Sequence, residues 1–166
     1  MDGQALTLGT IRLSALLYVA ALLGVRPRLT WTLACLAYLT HAASAFHFHH
    51  QWSHAAAYAE TARQTRALFG FGSGAGLYCN YAFTVIWPAD VVWWWCAPAA
   101  YARRPRWIAR AVHGFLAFMY LNGAVVFASG ATRWLGLVAT AAVALRWWWL
   151  LKAPAASAQY RASDRT

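Results

Sequence analysis

Five of the six histidines of this chain, His41, His47, His49, His50 and His54, fall between residues 41 and 54. Imidazole is the commonest side-chain ligand for transition metals, and rings spaced i, i+3 or i, i+4 on a helix can reach one ion. At about 100° per residue, His47, His50 and His54 share one stripe of a helix, which makes them the expected metal ligands. Glu60, one to two turns further on, and Cys79, at the start of a later apolar segment, are the expected auxiliaries, because a carboxylate or thiolate beside histidines is a usual first-row metal shell. His41 points to another side of that helix. With His113 it makes the obvious pair of histidines on separate segments, the arrangement a haem would need, so haem is the second cofactor expectation after a metal ion.

The spacing of His47, His49, His50 and His54 resembles one histidine box of the membrane di-iron hydroxylases and desaturases. Those families distribute their histidines over several boxes on the cytoplasmic side. Here one box stands alone on the expected outer side, so the family's activity is not carried over.

A second constellation is Asp90 with Arg146. Both lie inside apolar runs, where an unpaired charge costs several kcal/mol, on the order of 3 or more, so they are expected to form an internal ion pair. His113 stands at a depth that lets it join them. A proton relay is the functional reading of such a group, and a register-fixing ion pair the structural one. Neither constellation supplies a nucleophile with its base, and no nucleotide-binding motif accompanies them. An enzyme assignment does not follow.

The elements that must position these residues are set by composition. The chain is 61% hydrophobic and 11% charged over 166 residues, whereas a soluble globular domain carries about 25% charged residues. Residues 6–25, 29–51, 75–98, 107–128 and 131–151 are apolar enough, at about 20 residues each, to cross a bilayer as helices. They do not alternate as barrel strands do. The expected fold is therefore an all-α polytopic integral membrane bundle of about five transmembrane helices over residues 1–152, followed by a mobile cytoplasmic tail over 153–166.

Net charge is +10, but the arginines are placed rather than scattered. Arg26 and Arg28 lie between the first two segments, Arg103, Arg104, Arg106 and Arg110 between the third and fourth or just beyond, and Lys152, Arg161 and Arg165 after the fifth. With five spans all three groups fall on one side, which the positive-inside rule assigns to the cytoplasm. The N-terminus is then outside, and the expected location is a bacterial inner membrane. Anionic lipid headgroups, not nucleic acid, are the partners this distribution fits. The triplets Trp93-Trp94-Trp95 and Trp147-Trp148-Trp149 suit the inner interface.

Gly70, Gly72, Gly74 and Gly76 mark a turn; the Lys and Ser/Thr of a phosphate-binding loop are missing. Cys35, Cys79 and Cys96 form no CxxC pair and imply no disulfide framework. The leading functional expectation is a histidine-lined, transition-metal site near the outer face with a redox or metal-handling role. The alternatives are a non-catalytic accessory subunit among other membrane subunits, of respiratory or photosynthetic type, and a small transporter.

Overall fold

A computed structural model describes residues 3–152, the last three by backbone only; the expected tail, 153–166, lies outside the described residues. The described chain is all-helical. Its elements are α1 (Gly3–Leu22), α2 (Pro27–Phe48), α3 (His54–Phe69), α4 (Gly76–Cys96), α5 (Pro98–Ala102), α6 (Arg106–Leu121), a π-helical turn (Asn122–Val126) and α7 (Gly130–Lys152).

The first two helices form a tight hairpin. Gly24 turns the chain at φ 84°, Arg26 follows at φ 38°, and Pro27 opens α2, where its missing N–H costs nothing. Small residues let the two backbones approach: Ala34 is fully buried, and the Ser14 hydroxyl donates to the Ala34 carbonyl at 2.8 Å. At the other end of the hairpin a nitrogen of His41 meets the Thr7 carbonyl at 2.9 Å.

Helix α4 crosses against α2 through polar side chains set in apolar walls. The Tyr38 hydroxyl bridges the Asn80 carbonyl at 3.3 Å and the Thr84 hydroxyl at 2.9 Å. Trp95 donates to Thr32 at 2.9 Å, and Arg28 donates to the Trp94 carbonyl at 2.9 Å while its guanidinium lies 3.8 Å from the Trp95 ring centre. Pro88 sits inside α4 without ending it.

An aromatic core joins α1, α2, α4 and α6. Tyr18 stacks on Tyr120 at 5.3 Å and meets Trp31 and Trp87 at 5.4 and 5.8 Å; Trp87 also meets Phe83 at 5.1 Å. Rings this size bury large apolar areas and prefer such offset or edge contacts. Between α6 and α7 the helix widens into the π-turn, a local irregularity often found at functional sites. Arg133 closes it by donating to the Val125 and Val126 carbonyls at 2.9 and 3.0 Å.

By length and hydropathy two helical runs qualify to cross a membrane among the described residues, Gly3–Leu22 and Arg106–Val126. A soluble protein's core helix, mostly buried, or an N-terminal signal sequence passes the same test; here 22% and 6% of the two windows are buried inside the protein, and the first lies near the N-terminus. The three other long helices, rich in Trp, Tyr, Thr or Arg, fall below that threshold.

Candidate functional site

The histidine stripe does not form, because the helix that would carry it stops. Helix α2 ends at Phe48, Gln51 and Trp52 take left-handed conformations at φ 48° and 59°, and Ser53 starts a new helix by capping the Ala56 N–H at 3.2 Å. Ser is a favoured N-cap residue, so the signal for this break stands in the sequence. His47, His50 and His54 are consequently split over the end of α2, the turn and the start of α3. His47 accepts from the Trp52 indole at 3.4 Å, His50 packs edge-on against Phe46 at 5.6 Å, and His54 hydrogen-bonds the Tyr81 hydroxyl at 2.9 Å.

Glu60 is committed elsewhere. It accepts from Arg63 at 2.8 and 2.6 Å and from Gln64 at 2.8 Å, and these bonds, Arg63's foremost, hold its carboxyl below the usual carboxylate range. Cys79 is a half-buried free thiol on the first turn of α4. Among the described residues no three His, Cys, Asp or Glu side chains converge as a metal shell requires. Instead His49, His50 and Glu60 line one open surface cavity of about 650 Å³ between α2 and α3. The haem pair is also separated: His41 is engaged with α1, while His113 packs on Trp31 at 5.2 Å and meets Arg104.

The second constellation exists with different members. Asp90 is 5% exposed, and one of its carboxylate oxygens, Oδ2, accepts from the Trp31 indole at 3.0 Å and from the Tyr101 hydroxyl at 3.1 Å. Arg146 is not its partner. That guanidinium lies against Gly24 at the α1–α2 turn, and among the described residues the ion pair found is Arg63–Glu60. The arginine that does reach the Asp90 neighbourhood is Arg104, which lies 3.5 Å from the Tyr101 ring centre, donates to the Tyr101 carbonyl at 2.9 Å and meets His113 Nε2 at 3.4 Å. Burial, and then the nearby Asp90, push the Tyr101 phenol above its ordinary range. An arginine can only donate, so His113 Nε2 accepts and the ring proton sits on Nδ1, a buried atom without a partner. Asp90, Trp31 and Tyr101 thus form one hydrogen-bonded group, and His113 adjoins it through Trp31 and Arg104.

Beside this group lies a cavity of about 430 Å³ walled by α1, α2, α4, α6, the π-turn and α7. Its wall includes Trp87, 2% exposed, whose buried indole N–H has no acceptor. Arg12, exposed and midway along α1, also lines it. Trp31, Trp87 and Tyr101 escape sequence reasoning: aromatic residues are so frequent here that only a partner fixed by folding singles any of them out. Comparison with protein-family models, curated proteins and solved structures finds no match.

Proposed function

We propose that the protein is a five-span inner-membrane bundle, N-terminus outside and C-terminus cytoplasmic, that binds an apolar membrane-resident molecule in the cavity between α1, α4, α6 and α7. Five helical runs support the span count: α1, α2, α4, α6 with its π-turn, and α7. At 1.5 Å per residue the 20 residues of α1 extend about 30 Å, the thickness of a bilayer's hydrocarbon core. Large apolar side chains face outward along these helices, Trp134 at 70%, Leu16 at 70% and Val85 at 67% exposure, a surface suited to lipid and costly in water. Arg28, Arg104 and Arg146 gather with Trp94 and Trp95 at the end holding the α1–α2 turn, which agrees with a cytoplasmic face.

One observation carries the binding role. Side chains of α1, α4, α6 and α7, most of them apolar, line a cavity whose volume of about 430 Å³ falls in the usual range for small-molecule sites, about 300–1,000 Å³. Gly123 lines the cavity, and a Cβ added there meets nothing within 4 Å. Gly123→Leu should fill the space without strain. Mass spectrometry of molecules extracted from the purified protein should find a stoichiometric apolar species in the natural chain and its loss in Gly123→Leu. Equal retention in both, or none in either, refutes the role.

Metal handling at the outer end is the second reading, favoured by the shared cavity of His49, His50 and Glu60. It requires Arg63 to release Glu60. Zinc titration by calorimetry decides it: stoichiometric binding that His50→Ala abolishes supports this reading, and weak binding indifferent to that substitution removes it.

A further inference from the structure

The cavity reading leaves the chemistry of the occupant's head group open, and Arg12 supplies it. Arg12 lies nine residues beyond Gly3, about 13 Å along the axis of α1. In a span about 30 Å long this is close to the bilayer midplane, where a guanidinium is costly and usually marks a partner or a pathway. Among the described residues no hydrogen bond or ion pair reaches it. Acidic partners are scarce, since the whole chain has four Asp and Glu against fourteen Lys and Arg. The two within the described residues are taken, Glu60 by Arg63 and Gln64, Asp90 by Trp31 and Tyr101.

An uncompensated cation, itself exposed at the wall of a largely apolar cavity, is complementary to one kind of molecule. We propose that the occupant is a single-chain amphipathic anion whose carboxylate or phosphate head pairs with Arg12 while its chain fills the space between α1, α4, α6 and α7. This rests on the cavity reading above. At about 430 Å³ the cavity is in the lower half of the usual small-molecule range of about 300–1,000 Å³, a size suited to a head and one chain. The guanidinium fork suits either oxyanion head through paired N–H donors.

The test uses the full chain in detergent with dibromostearate as probe, because bromine quenches tryptophans it touches and Trp87 is in the wall. Saturable quenching that oleate reverses and oleyl alcohol does not, weakened about tenfold or more in Arg12→Gln and restored in Arg12→Lys, is the expected result; that factor is the loss of one charge-assisted hydrogen bond. Displacement by oleoyl lysophosphatidate in preference to oleate also supports the inference and assigns the head to a phosphate source. If oleyl alcohol displaces as well as oleate and Arg12→Gln binds normally, the anionic head is wrong while the cavity role survives. No saturable quenching at all overturns both.

Discussion

Replacing Asp90 tests the energetic centre of the bundle. Its carboxylate is the acceptor for two donors, the Trp31 indole and the Tyr101 hydroxyl, and all three residues are at most 6% exposed. Asp90→Ala leaves both donors buried without an acceptor. At about 1–3 kcal/mol for each, the loss is about 2–6 kcal/mol; hydrogen bonds between membrane helices average nearer 0.6 kcal/mol, which sets a floor of about 1 kcal/mol for the two. Asp90→Asn keeps a carbonyl oxygen for both donors and should lose less. The assay is unfolding in mixed micelles with increasing denaturing detergent, followed by tryptophan fluorescence. A double-mutant cycle sharpens it: Asp90→Ala with Trp31→Phe should be non-additive by about 0.5 kcal/mol or more, whereas Asp90→Ala with Arg146→Ala should add within about 0.5 kcal/mol. An Asp90→Ala protein as stable as the natural one, or strong coupling to Arg146, refutes the assignment of Asp90 to Trp31 and Tyr101 and restores the ion pair expected from sequence.

Two further outcomes are expected. Gly136→Ala should destabilise by about 1–3 kcal/mol in the same assay, since an added Cβ would press on the Ala124 carbonyl oxygen of the π-turn; an unchanged midpoint would show that the π-turn yields freely. The raised Tyr101 phenol means the folded chain holds its proton beyond the point, near pH 10, where an unfolded tyrosine releases it. Its contribution to stability is therefore fully present below about pH 10 and is lost as pH rises toward the folded value. Tyr101→Phe should flatten the alkaline fall in stability, and an identical fall in both proteins counts against a buried, neutral Tyr101.

Helix content and the places where helices end follow from local chemistry, so much of the fold was legible in the chain. The Gly24 to Pro27 turn, the glycine-rich turn over 70–76 and the break before Gly130 all lie where backbone preferences put them. Local signals also explain the misplaced histidines. A stripe of His47, His50 and His54 assumed one continuous helix, but Ser53 is a cap, and a cap two residues beyond a left-handed Gln51 rotates every later side chain away from the earlier face.

Partners were a different matter. Sequence showed that a charge at Asp90 must be answered, because burial of a carboxylate is costly whatever surrounds it. It favoured Arg146 by charge, while folding answered with an indole 59 residues away and a phenol on the short helix α5. Donors that neutralise nothing and come from distant elements leave no spacing to read. Composition alone makes most of these side chains apolar, since that depends on residue type and not on folding. Packing alone settles which donors stay unsatisfied, Trp87 above all, because an orphaned N–H is defined by what every neighbouring helix fails to offer it.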